Sequence, residues 1–177
     1  LCRQASENSV PIVYVNLVGG QDELVFDGGS MVIDQHGECA VNAPEYQSGL
    51  YPVDFNCERG CNPVPKNLYP ELSLEERVYS ALVLGVRDYV NKNGFPGVVL
   101  GMSGGIDSAL SAAVAVDALG ADRVHCVMMP SPYTSQESLD DADMACKLLG
   151  VKIDTVNIKP AMDAFGDAFK MLKGGSK

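Results

Sequence analysis

The spacing of apolar residues changes partway along the chain. Between residues 10 and 55, β-branched and aromatic stretches are broken by glycine pairs and short polar turns. Residues 10–18, ending at Gly19-Gly20, predict a strand. Residues 30–34 and 38–42 flank Gln35-His36-Gly37, the pattern of a hairpin with glycine where a positive φ is needed. Residues 50–55 predict a further strand, which Pro52 confines to an edge or an end because proline has no N–H for a ladder. From 56 to 72 the pattern is lost. Pro63, Pro65, Pro70 and Gly60 mark that stretch as a linker with few core-forming residues.

Beyond residue 72, helical and strand-like patterns alternate. Ser73 with Glu76 three residues on is a capping-box start, and Leu74, Val78, Leu82, Gly85, Val86 and Tyr89 recur at helical spacing to about Lys92. Asn93-Gly94 stops this helix. A strand is expected over 97–102, a helix over 107–119, a strand over 123–129, a helix over 136–149 stopped by Gly150, and a strand over 151–158. Pro160 can open a last helix. Alternating strands and helices in this order predict an α/β fold with a parallel sheet and right-handed crossovers. Three segments follow: 1–55, a linker at 56–72, and 73–177. Leu1-Cys2-Arg3-Gln4-Ala5 reads as the tail of a helix. With the closing run Lys173-Gly174-Gly175-Ser176-Lys177, it points to a segment of a longer chain.

Composition narrows the partners. Lys and Arg number 13 against 23 Asp and Glu, a net charge of −10, which lacks the basic footprint of a nucleic-acid binder. Small phosphate ligands are still allowed, because backbone amides bind them without net positive charge. No stretch of about 18 apolar residues is present to span a membrane. Of the six cysteines, only Cys57 and Cys61 are close in sequence. Three residues separate them, not the two of a redox or zinc-ribbon pair, and free thiols in a reducing cytoplasm are the expectation.

The chemistry concentrates in Gly101-Met102-Ser103-Gly104-Gly105-Ile106-Asp107-Ser108, where an apolar strand turns into a helix. Ligands of open parallel sheets bind at the carboxyl ends of strands. Gly104 and Gly105 let the backbone curl close to a ligand. Amides of the turn and first helical turn would converge on a pyrophosphate, helped by the helix dipole. Ser103 and Ser108 add hydroxyls. A carboxylate at Asp107 beside phosphates calls for a cation between them, so Asp107 is the expected Mg²⁺ ligand. The string lacks the Gly-Lys-Ser/Thr end of a Walker loop and is not Gly-x-Gly-x-x-Gly.

Ser103-Gly104-Gly105-Ile106-Asp107-Ser108 resembles the signature of the N-type ATP pyrophosphatases, whose members split ATP to AMP and pyrophosphate. Arg87-Asp88-Tyr89-Val90-Asn91-Lys92-Asn93-Gly94-Phe95 and Met129-Pro130-Ser131-Pro132-Tyr133-Thr134-Ser135-Gln136-Glu137-Ser138 resemble NAD synthetases. The run from Val13-Tyr14-Val15-Asn16 to Asp27-Gly28-Gly29-Ser30 resembles the end of a nitrilase-like glutaminase domain. Together they resemble the glutamine-dependent NAD synthetase family. The resemblance implies the last strands of a nitrilase-like α/β sandwich in 1–55 and the first part of a PP-loop (adenine-nucleotide α-hydrolase-like) domain in 73–177, both incomplete. It implies ATP and Mg²⁺, with deamido-NAD and glutamine-derived ammonia as substrates, in a cytoplasmic homo-oligomer. The Glu-Lys-Cys glutaminase triad is then expected before residue 1, most deamido-NAD contacts after residue 177, and the segment alone is expected to be inactive. By the same analogy, the strand around Val127-Met128-Met129 would face adenine through backbone groups, giving Met128 as an ATP contact. Thr134, Ser135 and Gln136 are candidates to close over ATP. Two other readings stand beside this one: a tRNA thiolase of the same loop type, disfavoured by the charge, and a non-catalytic nucleotide-binding fragment.

The remaining polar residues carry less. Asp22, Glu23 and Asp27 read as structural, His36 as a solvated turn residue, and His125 as a packed or surface histidine on a strand. Glu137, Asp140, Asp141 and Asp143 stand early in a predicted helix, where acids favour the dipole over metal binding. The helix over 107–119 is apolar nearly all round, which predicts burial or a subunit interface.

Overall fold

The computed structural model describes residues 1–58 and 60–174, so Gly175, Ser176 and Lys177 of the closing run lie outside the described residues. The chain divides into two units, Leu1–Tyr89 and Val90–Lys177.

The first unit begins with helix α1 (Cys2–Asn8), which ends at Ser9 in the left-handed region. Antiparallel strands follow: β1 (Ile12–Tyr14), β2 (Val18–Gln21), β3 (Leu24–Asp27), β4 (Met31–Ile33) and β5 (Cys39–Asn42). They form a three-stranded sheet ordered β1-β4-β5 and a separate β2-β3 hairpin. The single strand expected over 10–18 is thus two. Asn16 breaks it: its amide donates to Ser30 Oγ at 3.0 Å, and its side-chain oxygen accepts the Leu17 amide at 2.9 Å. A polar side chain that captures neighbouring amides offers the backbone an alternative to the ladder. Gly19-Gly20, expected just past the strand's end, lies inside β2, and the turn falls at Asp22-Glu23, with Asp22 at φ 52°. The hairpin at Gln35-His36-Gly37 forms as expected, with Asp34 Oδ1 accepting the His36 and Glu38 amides.

The expected strand over 50–55 is mostly absent. Only Phe55–Asn56 (β6) pairs, and its partner is Asn62–Pro63 (β7), inside the stretch read as a linker. Pro52 removes one ladder donor, and Leu50 is 97% exposed. Helix α2 (Leu74–Lys92) opens on the expected capping box: Ser73 Oγ accepts the Glu76 amide at 3.2 Å, and Glu76 Oε2 accepts the Ser73 amide at 2.8 Å. The first compact unit extends through most of α2, to Tyr89.

The second unit is the α/β part. Strands β8 (Val98–Met102), β9 (Val124–Met128) and β10 (Lys152–Thr155) form a parallel sheet ordered β10-β9-β8. Helices α3 (Ile106–Leu119) and α4 (Gln136–Leu149) make the two crossovers, and α5 (Lys159–Gly174) follows. Sequential strand order with right-handed crossovers places α3 and α4 on one face of the sheet. That face holds the core: Met102, Ala112, Ala115, Val124, Cys126, Ala142, Cys146 and Val151. Small residues on α3 let it sit close to the strands. The helix is buried along Ala112, Val114, Ala115 and Ala118 only, whereas Ile106 is 78% and Leu110 51% exposed. Gly150 stops α4 in the left-handed region, as expected.

Arg123 fixes the entry to β8. Its guanidinium donates to the carbonyls of Phe95 and Pro96 at 2.9 Å each and to Asn91 Oδ1 at 2.8 Å, bracing the turn after α2.

The capping box makes a direct prediction. Ser73→Ala removes an N-cap acceptor and costs about 1 kcal/mol of stability, read from denaturant midpoints. The Ser73 amide and hydroxyl hold the Glu76 carboxyl below its ordinary value of 4.5. Because the folded pKa is the lower one, the contribution of Glu76 is complete above about pH 4.5 and fades as the pH falls through the lowered value. In Glu76→Gln that acid-side loss should vanish from the stability-against-pH curve.

Candidate nucleotide site

The candidate site is built where β8 and β9 end. Parallel pairing aligns Gly101 with Val127 and Met102 with Met128, so both strands stop at the same level. The chain then turns through Ser103-Gly104-Gly105 into α3, whose N-cap is Gly105, in extended conformation. Glycine has no side chain with which to cap, and the first turn of a helix has amides without intrahelical acceptors. The amides of Ile106, Asp107 and Ser108 occupy those positions, beside the positive end of the helix dipole.

Gly104 has φ 81°, and a Cβ there would lie 2.1 Å from the Ser138 carbonyl oxygen. The glycine is therefore needed for close approach between the loop and the first turn of α4, not only for approach to a ligand. Gly105 differs. Its φ is −87°, and a Cβ would meet nothing closer than Ser103 Oγ at 3.4 Å.

The two serines brace the loop. Ser108 Oγ donates to the Gly105 carbonyl at 2.9 Å and accepts the Ser103 amide at 3.3 Å. Its proton is thereby spent, so the 3.1 Å contact between the two hydroxyls has Ser103 as donor. Ser103 Oγ also accepts the Gly105 amide at 3.3 Å. Both serine protons, expected as donors to a ligand, are used inside the loop. The first-turn amides of α3, which no side chain caps, are then the candidate anion donors of the loop.

A cavity of about 260 Å³ adjoins this turn. Gly101, Met102 and Ser103 line it from β8, Met128, Met129 and Pro130 from the end of β9, and Thr134 and Leu139 from α4 and the turn before it. Its size lies just under the ~300–1,000 Å³ of typical small-molecule sites, enough for a nucleoside but not for a whole triphosphate. Beyond the lining, Gly105, Ile106 and Asp107 are exposed, leaving open space for phosphates. Of the residues expected at the site, Gly101, Met102, Ser103 and Met128 line the cavity, and Gly104 to Ser108 continue the chain from it into α3. The Met128 carbonyl accepts the Val156 amide at 2.8 Å. Ser135 is engaged elsewhere, as the N-cap of α4, accepting the Ser138 amide at 3.2 Å. Thr134 is the member of the 134–136 group that reaches the cavity. Its Oγ1 accepts the Ser131 amide at 2.9 Å, which locks the turn after β9.

Met129 belongs to the strand end expected to face adenine, whereas Pro130 and Leu139 were not picked out as site residues by the sequence. The one available signal was that both stand next to a strand end or a helix start. Ser138 was also missed as a contact, because its role comes from a backbone carbonyl that no residue type advertises.

Asp107 lies exposed in the first turn of α3. Among the described residues no group of three or more His, Cys, Asp or Glu side chains is placed to hold a metal. That donor set suits Mg²⁺, which is commonly held by one or two carboxylates, water and substrate phosphates instead of an all-protein cage. The acids of α4 make local contacts: Asp140 accepts from Gln136 and Asp143 from Lys147. His125 Nε2 lies 2.7 Å from Asp154 Oδ2 on the strands and away from the loop.

The chain is similar to known proteins along nearly its whole length. The family model described as NAD synthase matches residues 78–175, which span the whole second unit up to its last residues. Glutamine-dependent NAD(+) synthetase of Rhodobacter capsulatus is 46% identical over 98% of this chain and 32% of its own length. That of Acinetobacter baylyi is 44% identical over 93% of this chain and 30% of its own. A solved structure of glutamine-dependent NAD+ synthetase from Acinetobacter baumannii, in complex with adenosine diphosphate, aligns with a TM-score of 0.94 and 43% identity over 99% of this chain and 33% of that one. The chain thus spans about a third of the length of these relatives.

The glycines give a paired prediction. Gly104→Ala places a Cβ against the Ser138 carbonyl at an unfavourable φ and should cost roughly 1–3 kcal/mol or more. Gly105→Ala should cost under about 1 kcal/mol. Denaturant midpoints of the two variants, measured side by side, check the order; equal midpoints would contradict the close contact.

Proposed function

The chain belongs to the NAD synthase family, and from that premise we propose that it is part of a glutamine-dependent NAD synthetase that amidates deamido-NAD at the expense of ATP. The observation that carries this reading is the open loop at 103–108, with uncapped helix amides beside a nucleoside-sized cavity. The ADP held by the A. baumannii protein supports an adenine nucleotide as the occupant.

In this reading the adenosine end enters the cavity between Met102, Met128 and Thr134, and the phosphates lie over the first turn of α3. The carboxylate oxygen of deamido-NAD attacks the α-phosphorus, the bond to the β-phosphate oxygen breaks, and pyrophosphate leaves. Ammonia then attacks the adenylated carbonyl carbon, AMP leaves, and the amide forms. The amides of Ile106, Asp107 and Ser108 hold the outer phosphates and stabilise charge as it builds on the leaving pyrophosphate. The Ser103–Ser108 brace keeps those amides aimed, so little reorganisation is needed at the moment of reaction. Asp107 would hold Mg²⁺, which when bound neutralises phosphate charge and sharpens the leaving group.

We further propose residues 1–55 as the end of a nitrilase-like glutaminase domain, 56–72 as the connection, and 73–177 as the start of the synthetase domain. Ammonia would then come from glutamine hydrolysed by a part of the protein outside this chain. A homo-oligomer in the cytoplasm fits this reading, supported by the exposed Ile106 and Leu110 of α3. No described helix is long and apolar enough to cross a membrane.

Full-length protein supplied with deamido-NAD, ATP and glutamine should yield NAD, AMP and pyrophosphate; ADP as the nucleotide product would overturn the assignment. Ser103→Ala should lower the synthetase rate roughly 10²-fold, the effect of misaiming the α3 amides once their brace is lost, while glutamine hydrolysis persists. Asp107→Asn should raise the Mg²⁺ concentration needed for half-maximal AMP formation. An unchanged Mg²⁺ curve would remove Asp107 as the ligand.

A further inference from the structure

Outside the nucleotide site, the fold brings two exposed nucleophilic side chains into contact. Cys57 and Cys61 stand at the tip of the β6-β7 hairpin, one step beyond the paired residues Asn56 and Asn62. Their Sγ atoms are 2.8 Å apart and both residues are exposed. A disulfide needs an S–S distance of about 2.05 Å, so less than about 1 Å of approach separates the two states. The turn makes this proximity possible. Gly60 takes φ 100°, and Asn56 Oδ1 accepts the Glu58 amide at 3.0 Å, folding the chain back so that cysteines three residues apart face each other. Sequence spacing alone argued against a redox pair, because it assumed the turn of a two-residue motif. The remaining close thiols, Cys126 and Cys146, are buried in the core of the second unit, where no oxidant reaches them.

We propose that Cys57 and Cys61 form a reversible dithiol–disulfide couple that closes the hairpin tip and takes a small-molecule disulfide, such as glutathione disulfide, as its oxidant. One protein thiolate attacks a sulfur of the oxidant. The oxidant's S–S bond breaks, and one glutathione leaves as thiolate. The second protein thiol gives up its proton and attacks the mixed disulfide, releasing the second glutathione. Two protein thiols lose two electrons and two protons, and the oxidant gains them as two thiols. The contact between the sulfurs raises the Cys61 thiol above its ordinary value.

The proposal is independent of the nucleotide reading, and its test needs no ATP. Full-length protein is equilibrated with glutathione and glutathione disulfide over a range of ratios, quenched in acid, alkylated and digested. Trypsin cuts after Arg59, so a closed couple appears as two peptides joined through Cys57 and Cys61, two hydrogens lighter than the reduced pair. That species should rise with oxidant through a single midpoint and disappear with excess dithiothreitol. In Cys57→Ser, Cys61 should instead carry one glutathione, with AMP formation from ATP unchanged. Both thiols still open to alkylation at the most oxidising ratio would overturn the proposal. So would separate glutathione adducts on both, or a disulfide from either to Cys2 or Cys39.

Discussion

The site rests on the approach of Gly104 to the carbonyl of Ser138. A side chain at 104 would put its Cβ 2.1 Å from that oxygen, well inside any real contact, and the backbone there is left-handed. The phosphate loop is therefore not a free turn between a strand and a helix. It is seated on the first turn of α4, and α4 is seated on the sheet through Ala142 and Cys146, both fully buried. This seating decides the direction in which α3 starts, and hence where its uncapped amides point. One missing side chain links the position of the anion donors to the core of the domain.

The loop divides its polar groups between two tasks. The hydroxyls of Ser103 and Ser108 are consumed in four contacts among themselves, the amides of Ser103 and Gly105, and the Gly105 carbonyl. Such a closed network costs little to keep in water and leaves few alternative conformations. The amides of the α3 first turn take the other task. They are fixed dipoles and need no net positive charge, which is how a chain of net charge −10 can offer a local anion site. An exposed acid at Asp107 would by itself repel a triphosphate. In the proposed reading a divalent cation between the two would turn that repulsion into attraction, making carboxylate and amides complementary once a metal accompanies the nucleotide.

How much of this could be read from the sequence differs from element to element. The second unit was legible because each helix and strand carried its own local signal. Ser73 with Glu76, Gly150 and the Gly-Gly turn each placed a boundary within a residue or two. The first unit was less legible, since its strands are short and interrupted by side chains that bond to their own backbone. Asn16 broke a strand that its β-branched neighbours favour, and Pro52 ended another before it began. At the site, residue types announced the loop but not the allocation of its protons. Ser103 and Ser108 look like ligand donors in a string of letters; only their mutual geometry shows that they brace the turn. Ser135 likewise proved to be a helix cap, a role its type and position support equally well. Gly104 was readable as a glycine that permits close approach, but not as a seat for Ser138, because the contact is made between segments 34 residues apart in numbering.

Strand register connects the two faces of the sheet to the site. Cys126 is fully buried on the helix-covered face, while its neighbour His125 points to the other face and meets Asp154 at 2.7 Å. A slip of β9 by one residue would exchange them, placing an imidazole in the core and a thiol against a carboxylate. The His125 contact and the nearby Lys152 hold the Asp154 carboxyl below its ordinary value, so the pair favours the observed register while the acid is ionised. The same register sets Met102 opposite Met128. Both residues line the cavity, so a slip would offset the two strand ends that shape it. Alternation on an otherwise unremarkable strand is thus part of what shapes the nucleotide site, although neither His125 nor Asp154 touches it.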